Sequence, residues 1–229
     1  MRTLISIALT LFATASSAQT PELRDLVVTT GEAVVRRAPD RAFVTVTVET
    51  RAKNPRDAQR QNADVMTAVQ QRLAQASVPK DAVRTLGYDL EQEFDFPQGR
   101  RVPREFVARN AVEVRVDDIA RVGELLDVAV QSGATSVGNV RFDVQDRDKV
   151  EKEALRLAVV DARARAEAAA SGAGRSLDRI IKVEDSREPG IVVPRQMMTV
   201  ARASEAATTP VEPGLVEVRA RVTLTASMR

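Results

Sequence analysis

Three acidic residues alternate near the middle of the chain, at Glu91, Glu93 and Asp95. Alternate residues of an extended strand lie on one face, so this spacing places three carboxylates side by side. Because Ca²⁺ and Mg²⁺ prefer oxygen ligands, the trio is a weak candidate for a metal site. We favour a solvated strand face whose carboxylates pair with arginines across the sheet. The candidate partners are Arg101, Arg104 and Arg109.

Two polar residues fall among the apolar positions of predicted helices. Asn62 lies on the inner stripe of the first helix and Asp161 on that of the third. A buried polar group needs hydrogen-bond partners, so each belongs either to an internal polar network or to a ligand site. We predict the structural network for both, with Asp161 paired to an arginine of the sheet.

Residues 96–104 contain two prolines, a glycine and three arginines, and this composition predicts a hairpin turn. Its arginines are Arg100, Arg101 and Arg104. Such charges usually serve solubility. The alternatives are contact with anionic lipid headgroups, worth about 1 kcal/mol per residue, or with an acidic face of a neighbouring subunit.

Residues 187–213 form a long stretch rich in Pro, Ala and Thr, which predicts an irregular loop. Met197 and Met198 lie within it. We favour an apolar contact at a subunit interface for this pair. Methionine sulfur is also oxidisable and can be restored, so a protective role against oxidants is the other interpretation.

The composition excludes several kinds of chemistry. The chain has no Cys and no His, and therefore no disulfide, thiolate nucleophile, lipid-modified cysteine or imidazole ligand. Its 34 Lys and Arg residues are interleaved with 32 Asp and Glu, and aromatic residues make up 3%. That pattern does not suit a nucleic-acid-binding groove. We predict a protein that is not an enzyme, holds no cofactor and binds no nucleic acid.

The first eighteen residues have the pattern of a secretory signal peptide. Arg2 gives the positive start, residues 4–15 form a short apolar core, and Ser16 and Ala18 are small residues before a cleavage site. We predict cleavage after Ala18, a mature chain of residues 19–229, and a periplasmic location. No later segment has the ~20 apolar residues that a transmembrane helix requires.

The hydropathy pattern predicts an α+β fold, with three helices packed on an antiparallel or mixed sheet. Period-2 alternation predicts one-sided strands, clearest at 44–48, 112–116 and 216–226. Other expected strands cover about 26–36, 84–96, 135–145 and 178–186. We expect a single domain, with two sub-lobes as a variant of that organisation.

Capping signals place the three helices. Asn54 followed by Pro55 begins the first, and the pair Asp117 and Asp118 begins the second. Asp148 with Glu151 forms the predicted capping box of the third, whose alanines suit close packing on a sheet.

A series of short motifs, in order, resembles the SIMPL-domain family of bacterial exported proteins, some called periplasmic immunogenic or oxidative-stress defence proteins. The motifs are GEA at 31–33, APDRA at 38–42, Asn62, RT at 84–85, ARN at 108–110, VGELLD at 122–127, GA at 133–134, Phe142, AVVDAR at 158–163 and PVEPG at 210–214. The resemblance covers about residues 26–227. It implies an α+β fold, an envelope location and self-association, and it supplies no catalytic residues.

These observations leave two functional hypotheses. The first is a non-enzymatic, self-associating envelope protein with a role in cell-envelope or oxidative-stress protection, in peripheral contact with the envelope. The second is a periplasmic module that binds a small ligand or a peptide, in which Asn62, Asp161 or the carboxylate strand lines a pocket.

Overall fold

The structure is a computed structural model that describes residues 25–186 and 210–229. The predicted signal peptide, Met197 and Met198 lie outside the described residues. Most of the predicted irregular loop, residues 187–213, lies outside them as well.

The described residues form seven strands and three α-helices, which confirms the α+β class. The strands are β1 (Leu26–Arg37), β2 (Arg41–Ala52), β3 (Val83–Asp95), β4 (Val102–Val116), β5 (Ser136–Asp143), β6 (Leu177–Asp185) and β7 (Val216–Met228). The helices are α1 (Pro55–Gln75), α2 (Val122–Gln131) and α3 (Arg147–Gly172).

The strands are divided between two antiparallel sheets. One has the order β1-β7-β6 and the other has the order β3-β4-β2-β5. The consecutive strands β1 and β2 lie in different sheets, separated by residues 38–40. Strand β1 instead pairs along its whole length with β7, from Leu26 opposite Ser227 to Arg37 opposite Val216. The two ends of the described chain therefore complete the three-stranded sheet together.

The four-stranded sheet packs against α1 and α2. Its inner face consists of alternate valines of β2 and β4, as the period-2 pattern predicts. On α1, the apolar side chains Val69 and Leu73 are fully buried against this face. The helix begins where predicted, because the Asn54 side chain accepts a hydrogen bond from the Asp57 N–H and Pro55 occupies the first turn.

The three-stranded sheet packs against α3 through a row of alanines spaced four residues apart. Ala154, Ala158, Ala162 and Ala166 are fully buried on this side of the helix. Val222, Leu224 and Ala226 of β7 form the opposing surface. Because the helix contributes only methyl groups on this side, its backbone can approach the sheet closely.

The start of α3 differs from the sequence prediction. The capping residue is Asp146, whose carboxylate accepts a hydrogen bond from the Lys149 N–H. The predicted cap, Asp148, lies inside the helix and pairs with Lys152 at 2.9 Å. Aspartate is a common capping residue, but only Asp148 has a glutamate three residues later, so the capping-box pattern selected the wrong aspartate.

Helix α3 approaches its sheet very closely at Gly31 of β1. A Cβ atom on Gly31 would lie 2.2 Å from both the Ala158 carbonyl oxygen and the Ala162 nitrogen. Two positions earlier, the Thr29 hydroxyl donates a hydrogen bond to the Ala162 carbonyl oxygen at 2.8 Å. The absence of a side chain at Gly31 therefore sets the distance between helix and sheet.

We expect Gly31→Ala to destabilise the protein by about 3 kcal/mol, because the added methyl group collides with backbone atoms that side-chain rotation cannot move. The matched control is Gly87→Ala in β3, where an added Cβ meets no atom within 4 Å. Urea unfolding of both variants measures the difference. Equal stabilities of the two variants would contradict this account of the helix–sheet contact.

Candidate functional site

Among the residues that the structure describes, Asn62 is the one polar residue that is fully buried. Its Nδ2 donates hydrogen bonds to the carbonyl oxygens of Val48 at 2.9 Å and of Ala108 at 2.8 Å. Val48 lies on β2 and Ala108 on β4, so one amide ties α1 to two paired strands. The Asn62 Oδ1 has no partner within the described residues. Both donors of the side chain serve the fold.

Asp161 lies beside the buried alanine row of α3 rather than within it, and 35% of its side chain is exposed. Its Oδ2 accepts a hydrogen bond from the backbone N–H of Glu32 on β1 at 2.9 Å. The prediction of a sheet arginine as its partner is wrong, because the arginine is Arg165 of the same helix, at 2.9 Å. The Glu32 N–H, followed by Arg165, lowers the pKa of the Asp161 carboxyl.

Asn62 and Asp161 belong to different parts of the fold. Asn62 lies on α1 against the four-stranded sheet, and Asp161 lies on α3 against the three-stranded sheet. The two side chains therefore do not line a common pocket. Each connects a helix to its own sheet.

The alternating carboxylates of β3 are divided among separate ion pairs. Glu93 lies 3.3 Å from Arg51, and Asp95 lies 3.5 Å from Arg104. Glu91 is exposed and contributes to the field at Arg109. Within residues 25–186 and 210–229, no three acidic side chains come close enough together to hold a metal ion. The arrangement is that of a charged sheet face.

The centre of this charged face is Glu49 of β2, which the sequence analysis did not single out. Its carboxylate lies 2.6 Å from Arg109 of β4 and 2.7 Å from Arg51. The hydrogen bond from Arg109 lowers the pKa of Glu49, and the charge of Arg51 acts in the same direction against the effect of burial. Glu49 follows Thr45 and Thr47 on the polar face of β2, so alternation could have identified it.

The hairpin between β3 and β4 carries the three predicted arginines near its turn at Pro97–Gly99. The Arg101 guanidinium lies 3.6 Å from the centre of the Phe94 ring, and Arg104 is the residue paired with Asp95. Phe96 is exposed beside the turn. The tip combines basic and apolar side chains at the end of a long two-stranded ribbon.

Strand β6 exposes more apolar surface than its pattern predicted. Ile180, Ile181 and Val183 are 41%, 51% and 45% exposed. Helix α3 packs chiefly on β1 and β7, and a shallow groove lies between α3 and β6. Its lining residues are Arg163, Glu167, Leu177, Asp178 and Ile180. The sequence predicted a strand here without indicating that it would lie at an edge.

The family model SIMPL, described as a protein of unknown function (DUF541), matches residues 27–226, which is nearly the whole described fold. The chain belongs to the SIMPL family. The predicted resemblance is therefore confirmed.

Curated relatives span most of this SIMPL chain. The 26 kDa periplasmic immunogenic protein of Brucella abortus is 27% identical over 193 residues, covering 81% of this chain and 77% of the relative. The uncharacterized protein YggE of Escherichia coli is 25% identical over 181 residues, covering 78% and 74%. Neither name states a biochemical activity. Of the helices that the structure describes, none is both long and apolar enough to cross a membrane.

We expect Asn62→Ala to destabilise the protein by about 3 kcal/mol, because it leaves a small cavity and removes the hydrogen bonds to two buried carbonyl oxygens. The control is Gln61→Ala, on the exposed side of the same helix, for which we expect a change within about 0.5 kcal/mol. Urea unfolding measures both. A neutral Asn62→Ala variant would show that this amide does not stabilise the helix–sheet contact.

The lowered pKa of Glu49 predicts a pH-dependent contribution to stability. A carboxyl with a depressed pKa in the folded state stabilises the protein above its ordinary pKa, and the effect is lost as pH falls through the folded-state value. Glu49→Gln should therefore cost more stability near about pH 6 than near about pH 3. In an Arg109→Gln background this difference should shrink. The same cost at both pH values would contradict the assignment.

Proposed function

We propose that this SIMPL-family chain is a non-catalytic periplasmic protein that acts in the cell envelope by associating with copies of itself. The predicted signal peptide at residues 1–18 and the periplasmic name of the Brucella relative support the location. The absence of Cys and His from the sequence supports a role that does not depend on thiolate or imidazole chemistry.

The observation that carries the proposal is the apolar surface of the three-stranded sheet. Strand β1 turns alternate residues away from α3, and of these Val28 is 62% exposed. No element among the described residues covers this outer face. Large exposed apolar patches mark interaction surfaces in soluble proteins. The exposed apolar residues of the outer face are Leu26, Val28, Val34 and Ile181, and Ile180 and Val183 are exposed on the side of α3.

A protective function in the envelope forms part of the same proposal. Met197 and Met198 would be the residues that react with oxidants, since methionine sulfoxide can be reduced back to methionine. The basic hairpin tip, with Arg100 and Arg101 beside exposed Phe96, would supply peripheral contact with anionic headgroups.

The second candidate is a periplasmic module that binds a small ligand or a peptide. The groove between α3 and β6 favours it, since Leu177 and Ile180 offer apolar contacts and Arg163 and Glu167 offer charges. A thermal-shift screen of metals, peptides and envelope metabolites tests this candidate. A ligand whose stabilisation is lost in Arg163→Ala would favour it over self-association.

The first experiment is the absolute mass of residues 19–229 by light scattering over a wide concentration range. We expect an assembly larger than the monomer, because burying the exposed apolar face of the sheet favours association. A clean monomer at every concentration would refute self-association. A parallel variant lacking residues 190–210 tests whether that segment contributes to the interface: collapse of the assembly would place the contact there.

A further inference from the structure

We propose that β6 pairs in antiparallel fashion with β6 of a second copy of this chain, across a twofold axis at Ile180. The two three-stranded sheets would then form one six-stranded sheet of order β1-β7-β6-β6-β7-β1. This inference rests on the proposed self-association and assigns it to one strand.

The first argument is the free edge of β6. Strand β6 is an end strand of its sheet and pairs with β7 along one side. No strand among residues 25–186 and 210–229 pairs with its other side. Such an edge presents a row of backbone donors and acceptors that a second strand can satisfy.

The second argument is the apolar row on the helix-facing side of β6. Leu177 lies opposite Met228, Ile180 opposite Ala226, and Val183 opposite Leu224. Residues directly opposite each other in an antiparallel pair share a face, so Leu177, Ile180 and Val183 all lie on the side of α3. The exposure of Ile180 and Val183 shows that the helix leaves this row partly uncovered.

The third argument is the position of two irregularities in β6. The register shifts between Leu177 and Ile180 and again between Ile180 and Lys182. Asp178 and Arg179 therefore both lie opposite Ser227, and Ile181 and Lys182 both lie opposite Thr225. Both pairs lie on the outer face of the sheet. In either direction from Ile180, two outward-facing residues are therefore followed by one that faces α3.

This symmetry makes β6 complementary to itself. An axis at Ile180 places Ile180 opposite its own copy and Leu177 opposite Val183 of the second copy. On the outer face it places Asp178 opposite Lys182 of the second copy, and this oppositely charged pair occurs twice. Moving the axis to Ile181 would instead place Asp178 opposite Glu184 and bring inward and outward residues together.

The charges and irregularities of β6 also select against other strands. Charged side chains and bulges on an edge normally block pairing with unrelated strands. A partner must carry bulges in matching positions and the opposite charges, and a second β6 does both. Lys182 now pairs with Glu184 at 2.7 Å on an exposed surface, where such a pair contributes little and can be exchanged.

A single-cysteine crosslink tests the axis directly, because the natural chain has no cysteine. Opposite Cα atoms of antiparallel strands lie about 4.5–5.5 Å apart, within the range of a disulfide. We expect Ile180→Cys, in residues 19–229, to form a covalent dimer under mild oxidation. The control Val160→Cys, exposed on α3 away from the sheet, should remain mostly uncrosslinked. Equal crosslinking of the two variants would overturn the proposal.

A charge exchange tests the register without a crosslink. We expect Asp178→Lys and Lys182→Asp each to weaken association by at least about tenfold, as measured by light scattering, because each places like charges opposite one another. The double variant should restore it. The control Asp64→Lys, exposed on α1, should leave the mass unchanged.

The outcomes separate this inference from the proposed function. If the wild-type chain associates but the β6 substitutions leave its mass unchanged, the β6 interface is wrong while self-association stands. If the wild-type chain is a monomer at all concentrations, both fail. If association through β6 appears only after residues 190–210 are deleted, another part of the same chain occupies the edge, and the proposal is overturned.

Discussion

The three-stranded half of the fold depends on the close approach of α3 to β1 at Gly31. Only a residue without a side chain allows the helix backbone at Ala158 and Ala162 to lie so near the strand. The alanine row of α3 meets the same requirement from the other side. With the helix held this close, Asp161 reaches the Glu32 N–H and Thr29 reaches a helix carbonyl oxygen. These contacts all depend on the short distance between α3 and β1 at Gly31.

That close approach also determines how the edges of the sheet differ. The Asp161 carboxylate accepts a hydrogen bond from the Glu32 N–H and so occupies a backbone donor of β1, which is one end strand. The helix packs on β1 and β7 and leaves β6 with a groove beside it. A helix centred on β7, the middle strand, would have covered β1 and β6 about equally. The position of α3 therefore decides which edge of the sheet has free apolar surface.

Patterns local in sequence predicted much of this fold. Alternation in β2, β4 and β7 identified the buried faces, and Asn54 with Pro55 identified the start of α1. Asn62 was found because a polar residue interrupted an apolar stripe. The pairing of β1 with β7 joins residues about 180 to 200 positions apart, and no local pattern specifies it. The cap was misplaced because Asp148, unlike the actual cap Asp146, has a glutamate three residues later. The partner of Asp161 was wrong because Arg165 lies one turn away on the same helix.

The electrostatics of the end strands explain why β6 rather than β3 is suited to pairing with a copy of itself. Strand β3 is also an end strand and exposes Leu86 and Tyr88. It carries four acidic residues and one arginine, so two β3 strands brought together would repel each other. Strand β6 carries three acidic and two basic residues, so the excess of one sign is much smaller. Within each strand the order of charges matters as much as their sum, because in β6 Asp178 and Lys182 lie at equal distances from Ile180. Asp178 and Lys182 lie in the two bulges on either side of Ile180. An antiparallel second copy of β6 therefore offers an opposite charge to each of them.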